Sequence, residues 1–455
     1  MHRCRRITVT AYDPKRGQYH RLENVLLRDG NDSQDSGHSL NRINKRGYLP
    51  ANKNKDSRDE GKHCYYIKRK IATSVYGSVY KGVVLKRRDK LQGETLLNGI
   101  KSRTLGVIIE DDDFESTNHK KCAESSRFDL QSLEAAMEDD NSIWDITKSN
   151  VIIKTSCWKK LRRLRGKHLE DPLKEIQAMQ LLGNYNPHVR GSLMALQDDD
   201  FLYSVMDYCK DGDLYSVVMR EISSKERLKE RTARHYFRQM LIGLHRLQQK
   251  GVCHRDLRLE NIMVHSRKIK IIDFGLALRV PYENITNSNC PSDASSGNRR
   301  MLISAQGQCG ELTYMCPEIL EREPGFDGFA ADLWALGVML YIMLIGRKPF
   351  HWAHPSDEQF QRLSIEGGLK ESLEYWNISL SDDAVNLLQQ MLWKDKEKRL
   401  TLAMTMNHPW VSFEEPVGLS PSSVVSQSSI SSTSTFSNRS QDKKSIYDKW
   451  LNAPS

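Results

Sequence analysis

Asp256, Asn261 and Asp273 place the tightest limit on what this chain can be. They lie in Cys253-His254-Arg255-Asp256-Leu257-Arg258-Leu259-Glu260-Asn261 and in Ile271-Ile272-Asp273-Phe274-Gly275. A carboxylate, an amide five residues on and a second carboxylate a dozen beyond that make a set with chemical meaning. One acid can orient a hydroxyl and take its proton, while the amide and the other acid hold a hard cation beside phosphate. The bland alternative is an Asp-rich turn between two buried strands. Either string alone is compatible with that turn; the two in this order and separation favour the chemical reading.

Bulk properties narrow the setting. With 455 residues there is room for two domains or for one two-lobed unit with tails, and 38% hydrophobic content is enough to build a core. Nine cysteines include no C-x-x-C pair, so neither a zinc cage nor a disulfide framework is expected, and a reducing compartment is. Met1-His2-Arg3-Cys4-Arg5-Arg6 lacks the apolar run of a secretory signal. The longest apolar stretch, Trp334 to Ile345, is short for a bilayer and reads as a buried helix, so no membrane span is expected. A net charge of +10 raises nucleic acid as a partner, but no zinc-knuckle or stacking-aromatic pattern accompanies it. A solvated basic surface is the favoured reading, and oligomeric state is not legible.

Residues 1–62 are polar and charged, and are expected to be largely disordered apart from a small element around Val9, Tyr12, Tyr19 and Val25-Leu26-Leu27. Strand patterning begins near Cys64 and leads into Ala72-Thr73-Ser74-Val75-Tyr76-Gly77-Ser78-Val79-Tyr80. Between about 86 and 150 lies an acidic insertion in which Phe128, Leu133, Ala136 and Met137 suit one face of a short helix. Val151-Ile152-Ile153-Lys154 reads as a strand. The basic run Trp158 to Lys167 reads as a solvated connection. A helix follows, capped by Asp171, with Pro172 in its first turn and Glu175, Ile176, Met179 and Leu182 at core-facing spacing. Phe201 to Cys209 reads as a buried strand, and Arg231 to Gln249 as an amphipathic helix. A Ser-rich tail runs from about 414 to 455.

Taken together, these strings resemble the eukaryotic protein kinases, whose usual motifs are H-R-D-x-x-x-x-N, D-F-G, V-A-I-K, a glycine-rich hairpin and A-P-E. Tyr341-Ile342-Met343-Leu344 and the closing His408-Pro409-Trp410 look most like the calmodulin-dependent kinase group. The resemblance implies an α+β, bilobal protein kinase fold over residues 63–413, with an N-lobe of 63–208, largely an antiparallel sheet with one main helix, and a mostly helical C-lobe of 209–413. It also implies ATP and Mg²⁺. Asp256 would be the base, Asn261 and Asp273 the metal ligands, and Lys154 the phosphate-binding lysine fixed by Glu175. Arg258 stands where Lys is commoner and keeps a charge near the transferring phosphate. Nucleotide contacts would come from Ala72, Ser74, Gly77, Val79, Ile152, Met206, Asp207, Cys209, Asp213 and Met263.

Four positions depart from the pattern. Ala72 and Ser74 replace two lid glycines, Ile152 replaces the Ala against adenine, and Glu311 replaces the Thr after Gly310. Glu311 is expected to lie near Asp256 and disturb it. By resemblance Arg255 would receive a phosphate from the activation segment, where Ser304 is the nearest acceptor. Asp332 would brace the catalytic loop and Arg399 would pair with Glu318.

The resemblance implies transfer of the γ-phosphoryl group of ATP to Ser/Thr hydroxyls of protein substrates in signalling. Asp213 and Glu260 suggest a basic residue upstream of the acceptor. The cytoplasm, with the nucleus as a second compartment, is the expected location. The rival reading is a pseudokinase scaffold, supported by the four departures and opposed by Lys154, Glu175, Asp256, Asn261 and Asp273. A nucleic-acid-binding module is the weakest reading.

Overall fold

Period-two patterning governs the first half of the chain and helical patterning the second, and they fold as an α+β pair of lobes. The computed structural model describes residues 2–6, 10–13, 18–21, 63–87, 105–109, 144–164, 167–183, 186–191, 194–197, 200–225, 227–281, 300–304 and 309–414.

In the first lobe, β1 (His2–Arg6), β4 (His63–Thr73), β5 (Gly77–Arg87), β6 (Leu105–Ile109), β7 (Trp144–Cys157), β8 (Met194–Gln197) and β9 (Phe201–Asp207) close into a ring. Its order is β1-β6-β4-β5-β7-β9-β8, returning to β1, with every pair antiparallel except β4 with β6. Inward residues alternate along the strands: Tyr65 and Ile67, then Val151 and Ile153, then Tyr203 and Val205 share one core with Tyr80 and Leu196.

The termini of these strands depart from the expected boundaries. The β5–β7 hairpin runs out to Arg87 opposite Trp144, past a register shift beside Val83 and Leu85. Thr147 donates its hydroxyl to the Val84 carbonyl at 2.7 Å, which carries the pairing across that irregularity. The insertion also supplies β6, and the amino-terminal extension supplies β1 together with a separate hairpin of β2 (Thr10–Asp13) and β3 (Gln18–Arg21), in which Tyr12 faces Tyr19. Val25-Leu26-Leu27 and the Phe128–Met137 helix expectation lie outside the described residues.

The basic run forms α1 (Trp158–Leu164), with Trp158 and Leu161 buried and Lys159, Arg162 and Arg163 exposed. Next comes α2 (Pro172–Leu182), whose cap Asp171 accepts from the Leu173 N–H at 2.9 Å.

The second lobe is built on α3 (Leu214–Lys225), α4 (Glu230–Gln249) and α6 (Gly328–Ile345), with the four-residue α5 (Pro317–Leu320) ahead of the last. Helix α6 is long and apolar enough to cross a membrane, at mean hydropathy 1.9, but its apolar window is 94% buried inside the protein. It packs on α4 and on α9 (Asp382–Met391), beyond α7 (Glu358–Leu363) and α8 (Gly368–Tyr375). Asp327 caps its start through the Phe329 and Ala330 N–H groups, and Gly346 ends it at φ 85°.

Glu318 and Arg399 meet in a two-pronged ion pair at 2.8 Å on each prong. Two short helices, α10 (Leu402–Met406) and α11 (Pro409–Ser412), end the lobe. Trp410, fully packed, donates its indole N–H to Glu230 at 2.7 Å. Residues Phe413–Ser455 form a separate unit, of which only 413 and 414 are described.

Candidate active site

Pairing of β7 between β5 and β9 puts Lys154 opposite Val79 and Ser204, with its side chain aimed at α2. Its ammonium lies 2.6 Å from Glu175, 3.7 Å from Asp273 and 3.9 Å from Glu170. Burial alone would strip the proton from such a lysine. Glu175 and then Asp273 outweigh it, and the Lys154 pKa is raised.

Glu170 has no counterpart among the expected site residues. It lies on the stretch between α1 and α2, so close to Gly275 that a Cβ added there would meet its Cγ at 2.7 Å. Burial raises its pKa, with Lys154 opposing.

On the facing side Asp332 braces the loop that carries Asp256, accepting from the backbone N–H of His254 at 2.6 Å and of Arg255 at 2.9 Å. Arg255 and Asp273 both sit at left-handed backbone angles, φ 68° and 67°, a conformation that non-glycine residues adopt only when their surroundings impose it. Phe274 is fully buried with its ring 4.9 Å from that of His254, which seats Asp273 at the cleft. Asn261 donates its amide twice to Asp256, at 2.8 Å to the carbonyl and 2.9 Å to the carboxylate. Burial pushes Asp256 up to about 6, against the pull of Arg258 and Asn261.

Because the Asn261 nitrogen is committed to Asp256, its amide oxygen is left to coordinate a cation. One amide oxygen and one carboxylate suit Mg²⁺ that also takes phosphate and water oxygens. Among the described residues no cluster of three or more acidic, His or Cys side chains offers an all-protein cage.

Glu311 corrects the sequence-based expectation. Its carboxylate turns to two cations, Arg258 at 3.2 Å and Lys348 at 2.5 Å, and not to Asp256. A guanidinium and an ammonium together hold it where Thr was expected. Gly310, at φ 90°, is the residue that abuts Asp256: a Cβ there would lie 3.0 Å from the carboxylate. Arg255 donates to the Cys309 sulfur at 2.9 Å, and Ser304 pairs its backbone with Gly325 in a short two-stranded bridge.

In the lid, Ser74 does what the missing glycine would not. Its N–H donates to the Gly77 carbonyl at 2.9 Å, and its hydroxyl accepts from the Gly77 N–H at 3.2 Å, closing the turn. Gly77 must remain glycine, because a Cβ would stand 2.1 Å from the Thr155 carbonyl. Ala72 faces Val79 across the hairpin and is exposed. At the tip, Tyr76 is buried and its hydroxyl donates to the Glu170 carbonyl at 2.7 Å, with its ring edge-on to His168.

At the junction of the lobes Ile152 and Met206 are neighbours in register and both are buried. The Asp207 carboxylate takes Lys270 at 2.6 Å. Asp213 spends both oxygens on Ser216, at 2.7 and 2.9 Å, so it caps α3. Met263 pairs with Lys270 across the hairpin of β10 (Ile262–His265) and β11 (Lys268–Ile271), and is bridged to Asp213.

Sequence reasoning missed Arg190. It is 4% exposed and reaches the Asp207 carbonyl at 3.0 Å, the Cys209 sulfur at 3.2 Å and the Met206 sulfur at 3.8 Å. Arg190 follows Asn186-Pro187-His188-Val189, and nothing in that string signals that its guanidinium is buried.

Comparison with known proteins meets the same residues. A family model described as "Protein kinase domain" matches residues 146–411. Calcium-dependent protein kinase 29 of Arabidopsis thaliana is 31% identical over 256 residues, which is 55% of this chain and 42% of that protein. CBL-interacting protein kinase 16 of Oryza sativa subsp. japonica is 32% identical over 275 residues, 60% of this chain and 53% of that one. The calcium/calmodulin-dependent protein kinase type II alpha chain of Drosophila melanogaster is 30% identical over 237 residues, 51% and 40% of the two chains. The matched region thus spans about two fifths to a half of these relatives.

Proposed function

Because this chain belongs to the protein kinase family, we propose that it transfers the γ-phosphoryl group of ATP to Ser and Thr hydroxyls of other proteins. The carrying observation is the Lys154–Glu175 pair at 2.6 Å facing Asp256, Asn261 and Asp273 across one cleft. Mg²⁺-ATP supplies the phosphoryl group and the electrophilic phosphorus. Asn261 and Asp273 are the residues that would hold the metal, and Lys154, kept protonated, the α- and β-phosphates. Asp256 orients the acceptor hydroxyl and takes its proton as the oxygen attacks phosphorus and the bond to ADP breaks. Arg258, anchored by Glu311, offsets negative charge beside that event.

A basic residue upstream of the acceptor is suggested by Asp213 and by Glu260, whose side chain is part-exposed and pairs with Arg258 at 4.0 Å. A peptide array with no preference for upstream Arg or Lys would remove that element. The reading places the protein in signalling, in the cytoplasm or nucleus.

A second reading, a scaffold with weak or absent transfer, is favoured by one set of contacts: Glu170 and Tyr76 crowd the phosphate side, and Arg190 takes the hinge carbonyl. Radiolabelled phosphotransfer to a basic Ser/Thr protein separates the two. Asp256→Asn and Lys154→Met should each lower transfer by about 10²–10⁴-fold. Wild type without transfer and without nucleotide binding would leave the scaffold.

A further inference from the structure

One charged surface takes no part in the cleft. Helix α1 carries Lys159, Lys160, Arg162 and Arg163, and Lys167 follows it exposed, with no acidic residue from Trp158 to Leu169. Among the described residues none of these five cations has an ion-pair partner.

The arrangement works against the helix that carries it. Cations in a first turn oppose the helix dipole, and this first turn holds Lys159 and Lys160 with no acid. Lys159 stands three and four residues from Arg162 and Arg163, and Lys160 three from Arg163, the spacing at which like charges repel. What holds α1 is its other face. Trp158 and Leu161 are each 8% exposed, and the Trp158 N–H donates to the Asp200 carbonyl at 2.9 Å. A basic run in a loose connection is ordinarily solvated. Here packing keeps the cations on one short, fixed surface, which is preorganised for an anion and sheds repulsion when one arrives.

The same packing selects the occupant. Single-stranded nucleic acid stacks its bases on exposed aromatics, and the one aromatic of α1, Trp158, is turned into the protein. A helix lying on a membrane inserts its apolar face, and here Trp158 and Leu161 are already buried in the lobe. A run of carboxylates asks only for closely spaced cations, and complementarity of that kind sets the choice of partner. We infer that the exposed face of α1 is a docking surface for an Asp/Glu-rich segment of a partner protein. The surface lies in the chain between β7, which carries Lys154, and α2, which carries Glu175, and its occupation does not depend on phosphotransfer.

Fluorescence anisotropy of the full chain with labelled hexaglutamate and hexaglutamine peptides tests it. Wild type should bind hexaglutamate alone, and high salt should abolish the binding. Arg162→Glu/Arg163→Glu should weaken it at least about tenfold, and the milder Arg162→Gln/Arg163→Gln by less. Arg362→Glu/Lys370→Glu removes the same charge from exposed positions on α7 and α8 and should weaken it less than about twofold. Equal losses in the two charge reversals would reduce the binding to net charge and overturn the inference. So would a folded wild type that ignores hexaglutamate. Tighter binding of single-stranded RNA or of phosphatidylserine vesicles, lost on the α1 reversal, would give the surface to nucleic acid or membrane and overturn the acidic protein as its occupant.

Discussion

Asp256 combines two demands that conflict. It must ionise to accept a proton, and burial holds it near 6 against an ordinary value of 3.8. Transfer should therefore rise with pH through about 6, read as kcat/KM at saturating Mg²⁺. The same shift has a thermodynamic sign. Between 3.8 and about 6 the native state binds more protons than the unfolded chain, so this group's contribution to stability falls as pH rises through that window. Asp256→Asn should therefore melt a few degrees above wild type at pH 7 and no higher than wild type at pH 4, by scanning calorimetry. Arg258 and Glu311 make a second residue-scale pair, one guanidinium N–H on one carboxylate oxygen at 3.2 Å, where an ammonium would suit a hydroxyl. Arg258→Lys and Glu311→Thr should each lower kcat about tenfold, and the double change should recover most of it, a coupling of about 1–2 kcal/mol. The identity of these residues was legible in the sequence. The direction of Glu311 was not, because Lys348 lies on a distant loop and only the fold brings its ammonium within reach.

At the scale of elements, the hairpin of β4 and β5 with its tip on the stretch before α2 decides access to the phosphates. Glu170 places a carboxylate 3.9 Å from the lysine that phosphate needs. Glu170→Gln should lower KM for the nucleotide roughly three- to tenfold by removing a like charge, with kcat little changed. Gly77→Ala should cost about 1–3 kcal/mol, seen as a lower Tm, because β5 and β7 must part to admit the methyl group. The start of helix α2 was readable to the residue from Asp171 and Pro172, since capping is local chemistry. Ser74 was readable as a departure but not as a turn-closing hydroxyl, since nothing in its neighbours shows where Gly77 comes back to it. Arg190 was overlooked for the opposite reason: no strand pattern warns that a guanidinium will be buried against two sulfurs.

For the whole molecule, the Glu318–Arg399 pair joins the end of the activation segment to the last third of the second lobe. Both side chains are at most 6% exposed. Arg399→Ala would leave a buried carboxylate unmatched and should cost about 3–5 kcal/mol in denaturant titration. That bond was foreseeable from motif order alone, whereas the closure of the first lobe was not, since the pairing of residues 2–6 with 105–109 and 196–197 leaves no trace in local composition. Closure carries a consequence for behaviour in a crowded solution. An open sheet ends in rows of unpaired N–H and C=O groups that another chain can template upon, and every strand of this ring has two neighbours. A lobe that must breathe to load its ligand does so here without offering a sticky border to its own kind.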